Sequence, residues 1–268
     1  MPRQRAGTGA APVVTRRERC SILGSVTSRA PVPSSAFTIV SVFPEVLGTY
    51  GDSGNALVLQ RRLEWRGLPV RTVVVSAGQV LPLDGDLYVI GGSEDDAQAF
   101  AVDRLRAGSL AQAVTRGAHV FAVCAGLQLL GETFATGAGD VVAGLGLLDL
   151  RTTRLAHRVV GEVVAELATP TGADTHLTGF ANHGGGSELG RDASPLGTVR
   201  RGQGNRGAVG DPEGAVQGRV VATYLHGPVL ARNPAFADWL LERAGGAALP
   251  PLRHGPAERL HAHLTTDA

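Results

Sequence analysis

The chain has no lysine: all 25 of its basic residues are arginine. Neither a Schiff-base lysine nor the lysine of a phosphate-binding loop is therefore available. Cysteine is almost absent too. Cys20 and Cys124 lie far apart in the chain, which rules out a disulfide framework and fits a reducing, cytoplasmic setting. With no HExxH-type pair beside them, they leave no zinc-ligand set of the usual spacing, and no metal site is expected. No apolar run approaches the length of a membrane span. The formal net charge is only +1, which argues against a dedicated nucleic-acid surface.

What is present is a chain of 268 residues, enough for one large α/β domain or two small ones. Its N-terminal stretch scatters Arg3, Arg5, Arg16, Arg17 and Arg19 among Gly, Pro and Ser. It lacks the apolar segment of a secretory signal. Residues 1–36 are expected to form a disordered leader, 37–245 the folded domain, and 246–268 a tail, with His261 and His263 incidental.

Along the domain, β-branched and aromatic runs alternate with amphipathic segments. Phe37–Phe43, Leu68–Val75, Asp86–Ile90 and Val120–Val123 read as strands. Ala56–Arg66 and Ala97–Arg116 read as helices, the second broken near Gly108, and Asp52 or Ser53 is a candidate cap for the first. This order predicts a three-layer α/β sandwich with a mainly parallel central sheet and helices on both faces. Further on, Leu145–Arg154 and Arg158–Glu166 read as two strands. Leu177–Gly186 reads as a short strand entering a glycine-rich loop, and Gly202–Gly214 as a mobile surface connection. Gly218–Pro228 is a strand delivering His226 to its C-terminal end, and Pro234–Arg243 a helix.

In parallel sheets the working groups gather beyond the strands' C-terminal ends. Gly91-Gly92, Cys124 and His226 all follow such ends. Cys124 sits where a buried strand turns sharply into Leu127-Gln128-Leu129-Leu130, a strand-turn-helix elbow of the kind that presents nucleophiles. Taken alone, the pattern fits a small core residue, which is what most intracellular cysteines are. A histidine at a neighbouring strand end supplies the minimum for thiolate chemistry: a base for the thiol proton and an acid for the leaving group.

Val123-Cys124-Ala125-Gly126-Leu127-Gln128 resembles the nucleophile elbow of class I glutamine amidotransferases, and Thr223-Tyr224-Leu225-His226-Gly227-Pro228 the histidine segment of their CobB/CobQ-like branch. Tyr50–Asn55, His157–Glu162 and Gly179–Gly185 narrow the resemblance to GatD-type glutaminase subunits of lipid II isoglutaminyl synthase. It spans about Thr38 to Arg243 and makes 37–245 a glutamine amidotransferase domain.

The resemblance implies hydrolysis of L-glutamine through a thioester on Cys124, with His226 as base. Gly92 and Ala125 amides would form the oxyanion hole, and Arg158, Gln128, Asn182 and His183 would bind substrate. It further implies a heterodimer with a MurT-like Mur ligase subunit. That partner would hold ATP and Mg, reach lipid II and amidate its D-glutamate to D-isoglutamine, while this chain carries no cofactor. The alternatives are amidation of a cobalamin precursor, disfavoured because no nucleotide-binding domain accompanies the elbow, and a non-catalytic glutamine-sensing module. One departure stands out. Many class I members carry His-x-Glu, but here His226-Gly227-Pro228 has no acid at that spacing. The orienting carboxylate is expected from the partner, with Asp52 as the second candidate.

Overall fold

The computed structural model describes residues 35–106, 109–171, 174–252 and 255–266. The expected leader, up to residue 34, lies outside the described residues. The chain opens with β1 (Phe37–Val42), α1 (Gly54–Glu64), β2 (Val70–Val75), β3 (Leu87–Ile90), α2 (Asp95–Arg106), α3 (Leu110–Thr115), β4 (His119–Val123) and α4 (Ala125–Leu130). All residues of β3 and β4 are buried, as continuous apolar runs in a sheet covered on both faces should be. The second half contains β5 (Thr133–Ala135), β6 (Val141–Ala143), β7 (Leu150–Thr171), β8 (Asp174–Leu189), β9 (Gly197–Arg201), β10 (Pro212–Glu213), β11 (Ala215–Gln217), β12 (Val220–Thr223) and β13 (Leu225–His226). Helices α5 (Val229–Arg232), α6 (Pro234–Gly245) and α7 (Gly255–Thr265) follow.

The central sheet has the order β11-β12-β4-β3-β1-β2. Its pairings are parallel except for the edge strand β11, which runs antiparallel to β12. This is the expected α/β architecture. Helix α6 packs on β4 through Phe236, whose ring meets Phe121 edge-on at 6.0 Å. It is clamped to α1 by Asp238, which accepts from Arg62 and Arg66, both at 2.6 Å. No helix among the described residues is long and apolar enough to cross a membrane.

The second sheet departs from the expected elements. Leu145–Arg154 and Arg158–Glu166 are not two strands: β7 runs from Leu150 to Thr171, with a register shift between Arg154 and Val159. Nor is Asn182–Gly186 a loop. It lies within β8, antiparallel to β7. A Cβ on Gly185 would come 2.4 Å from Gln128 Nε2 and 2.7 Å from Thr152 Cγ2, so glycine here marks close packing rather than a turn. Gly202–Gly214 is pinned rather than a loose connection. Asn205 is fully buried and bonds both the N–H and the C=O of Gly214, and Asp211 accepts from the amides of Arg206 and Ala208. The stretch expected as a tail contains α7, where buried His261 Nδ1 lies 3.1 Å from the Arg232 carbonyl.

Candidate active site

The site follows from strand register. Val42 pairs with Ile90, Ile90 with Ala122, and Val123 with Thr223. The four strands therefore end on one edge, and the residues that follow them converge. Cys124 extends the ladder by one step, donating its N–H to Thr223 O at 2.8 Å. It then turns at φ 53°, ψ −107°, a conformation that side chains with a Cβ rarely adopt and that clusters at functional sites. Ala125 opens α4, so its N–H lies in a first turn that offers no intrahelical acceptor.

His226 is 3% exposed, and its Nδ1 lies 3.1 and 3.0 Å from the two carboxylate oxygens of fully buried Asp52. Asp52 is thus not the cap of α1, and Ser53 makes no side-chain cap bond either. The carboxylate expected from a partner is already present within this chain. Asp52, the second candidate behind a carboxylate that the resemblance implies from the partner, lies 174 positions from His226 in the chain. The turn-rich Tyr50–Asn55 stretch was the available signal.

The same carboxylate organises the third strand end. Gly92 donates its N–H to Asp52 Oδ2 at 2.9 Å. A Cβ on Gly92 would lie 3.0 Å from His226 Cε1, 3.1 Å from Asp52 Oδ2 and 3.2 Å from Cys124 Cβ. Sulfur-bearing residue, imidazole and carboxylate therefore surround one glycine, and its N–H, expected for an oxyanion, is engaged by Asp52 in this arrangement. Burial by itself would push the His226 pKa down. The hydrogen bond to Asp52, with the adjacent Cys124 sulfur, outweighs that and raises it to about 10, which favours the imidazolium. Nε2 is buried and makes no hydrogen bond among the described residues.

Beside Cys124 lies a cavity of about 210 Å³ whose wall includes Tyr50, Gln128, Arg158, Asn182 and His183. Arg158, on β7, donates through Nε to Asn182 Oδ1 at 2.6 Å and through Nη2 to Tyr50 Oη at 3.0 Å. The Tyr50 ring lies 4.8 Å from that of His226. Asn182 accepts weakly from Cys124 Sγ through its carbonyl, at 3.9 Å. His183 stacks on Tyr224 at 3.8 Å, and its Nδ1 meets Gly185 O at 2.7 Å. Burial pushes its pKa down to about 4, so it is neutral near pH 7. All four residues named from the sequence as substrate-binding thus line one cavity. His119 lies at the opposite end of β4 from Cys124, and His157 is exposed on β7.

Residues 38–234 match the family model of the CobB/CobQ-like glutamine amidotransferase domain. The chain belongs to this family. Two curated relatives are GatD subunits of lipid II isoglutaminyl synthase (glutamine-hydrolyzing). The one from Staphylococcus aureus is 34% identical, covering 77% of this chain and 84% of the relative. The one from Streptococcus pneumoniae is 32% identical, covering 77% and 79%. A cobyric acid synthase from a Jannaschia species is 33% identical but covers 65% of this chain and 35% of the relative. A crystal structure of a glutamine amidotransferase superposes with TM-score 0.52 at 20% identity, covering 77% of this chain and 98% of that one. Another, from Thermotoga maritima, gives 0.52 at 17% identity, covering 86% and 94%; both likenesses speak to fold alone.

Within this GatD-type amidotransferase, Gln128 supports the turn structurally as well as lining the cavity. It accepts from Gln98 Nε2 at 2.8 Å and donates to Tyr224 Oη at 3.0 Å. Tyr224 reaches Ser187 at 2.7 Å, and Ser187 reaches Thr152 at 2.6 Å. This buried chain ties α2, the elbow helix, the β7–β8 pair and the histidine segment together. Fully satisfied polar networks of this kind fix geometry, which is what a constellation assembled from distant segments requires.

Proposed function

We propose that the chain is a glutaminase subunit that releases ammonia from L-glutamine and delivers it to a MurT-like ligase partner. The observation that carries this reading is the placement of Cys124, at a strained elbow, beside an imidazole held by a buried carboxylate. The Cys124 thiolate attacks the side-chain carboxamide carbon, and the oxyanion develops against the Ala125 N–H. The Gly92 N–H joins it by exchanging Asp52 for that oxyanion. The His226 imidazolium gives its proton to the departing nitrogen, so ammonia leaves and a glutamyl thioester remains. Water then attacks the thioester while His226 takes its proton, releasing glutamate and restoring the thiolate. Asp52 acts through His226 as a positioning residue.

The two GatD relatives support the pathway: each is named as a subunit of lipid II isoglutaminyl synthase and aligns with this chain over most of its length. In the proposed heterodimer the partner binds ATP and Mg, activates the D-glutamate α-carboxyl of lipid II, and forms D-isoglutamine in the cytoplasm. Coverage of only 35% of the cobyric acid synthase gives less support to a role in cobalamin amidation. The test is glutamine-dependent amidation of lipid II by the co-purified pair. Cys124→Ala should abolish glutamine use by at least a thousand-fold, while millimolar ammonia still supports the partner. Equal product from glutamine after that substitution would refute the proposal.

A further inference from the structure

The chain changes sheets just before it reaches His226. β12 ends at Thr223 in the central sheet, whereas Leu225 and His226 pair with Ala181 and Phe180 of β8. Every residue from Val220 to His226 is buried, so the amides at this crossing need acceptors other than water. One side chain serves both of the first two. Glu213, in β10 and 1% exposed, accepts from the Tyr224 N–H at 2.9 Å and from Thr223 Oγ1 at 2.6 Å. Thr223 Oγ1 accepts in turn from the Leu225 N–H at 3.0 Å. Both bonds to Glu213 use Oε1, and Oε2 makes no hydrogen bond among the described residues. The carboxyl group is thus engaged with the histidine segment alone.

The backbone that carries this glutamate is itself fixed. Asn205 bonds the N–H and C=O of Gly214, and a Cβ on Gly214 would lie 2.3 Å from Ala222 O, so the turn after Glu213 presses directly on β12. Thr223 links the two halves of the chemistry. Its carbonyl receives the Cys124 N–H at 2.8 Å, and its hydroxyl ties Glu213 to the strand that ends in His226. We infer that Glu213 is a positioning residue for the glutaminase reaction: by holding the crossing between the two sheets, it sets where His226 stands relative to Cys124 and Asp52. The inference rests on the glutaminase reading and deepens it. An apolar side chain in its place would leave the Tyr224 N–H and the Thr223 hydroxyl without their acceptor, and the crossing would shift to find another. A shift of about 1 Å in a reacting group can cost about a hundred-fold in rate. Burial pushes the Glu213 carboxyl up to about 7, and carboxyl groups displaced in this way gather at functional sites.

The test uses the full chain co-purified with its partner subunit and compares kcat/KM for two substrates. The nitrogen of L-glutamine must take a proton from His226 to leave. The γ-thiomethyl ester of L-glutamate loses methanethiolate without that proton, and both substrates form the same thioester on Cys124. Glu213→Ala should lower kcat/KM for glutamine about a hundred-fold and for the ester by less, so that the glutamine-to-ester ratio falls about ten-fold or more. Glu213→Gln keeps a carbonyl oxygen for both bonds and should recover most of that ratio. A smaller folded fraction alone would lower both substrates in proportion and leave the ratio where it was. Should Glu213→Ala yield no folded pair, Thr223→Val, which deletes the hydroxyl between Glu213 and the Leu225 N–H, decides by the same ratio. A ratio within about two-fold of wild type in a folded variant would overturn the inference alone. A wild-type pair that releases no glutamate from glutamine would overturn the glutaminase reading and this inference with it.

Discussion

Replacing Asp52 with Asn removes a negative charge from His226 while keeping the side chain's shape. The imidazole is displaced from an ordinary pKa of 6.5 to about 10, and at 1.36 kcal/mol per pH unit this is roughly 5 kcal/mol in favour of the charged ring. One charge-assisted hydrogen bond accounts for about 1.5–3 kcal/mol of that. The titration midpoint of His226 should therefore fall by about 1–2 pH units, with burial pulling in the same direction once the carboxylate is gone. The pKa is raised in the folded state. Its contribution to stability is thus fully present below pH 6.5 and is lost as pH climbs through 10. The stability deficit of Asp52→Asn should be largest near pH 6 and narrow toward pH 10. NMR titration of the imidazole and urea unfolding at pH 6 and 9.5 measure these two effects. The glutaminase kcat of the co-purified pair should fall about a hundred-fold or more, because a mispositioned ring is a poor proton carrier. An unchanged midpoint would refute the assignment of the raised pKa to Asp52. An unchanged kcat would show that another carboxylate, such as one from the partner, positions His226 during turnover.

Two further perturbations test the frame around the site. Asp238→Ala leaves the guanidinium groups of Arg62 and Arg66 without their carboxylate. Because Asp238 is itself one-fifth exposed, the cost should lie near the lower end for a broken buried pair, about 3 kcal/mol; an unfolding midpoint within error of wild type would contradict this. Buried Glu213 accepts from Thr223 Oγ1 at 2.6 Å and from the Tyr224 N–H at 2.9 Å. Burial nevertheless raises its pKa from 4.5 to about 7. Its stabilising contribution is therefore present below pH 4.5 and lost as pH rises through 7, amounting to roughly 3 kcal/mol. Wild type should lose that much more stability than Glu213→Gln between pH 4.5 and pH 8, and parallel denaturation curves at the two pH values would count against it.

The sequence alone determined what depends on neighbours in the chain. Val120–Val123 had to be a buried strand, and the small residues after Cys124 had to form a sharp turn; both signals are local, and both elements lie where the pattern placed them. Alternation of strand and helix likewise fixed a mainly parallel sheet, and hence the edge on which Gly92, Cys124 and His226 would meet. Tertiary structure decided the rest. That Asp52 turns from α1 toward His226, that the glycines of 184–186 continue a strand, and that Gln128 anchors a buried polar chain are contacts between segments far apart in sequence. A glycine reads the same from the chain whether it bends the backbone or lets a neighbour approach. A carboxylate's partner is chosen by whichever donor the packed fold brings within about 3 Å, and no local pattern records that choice.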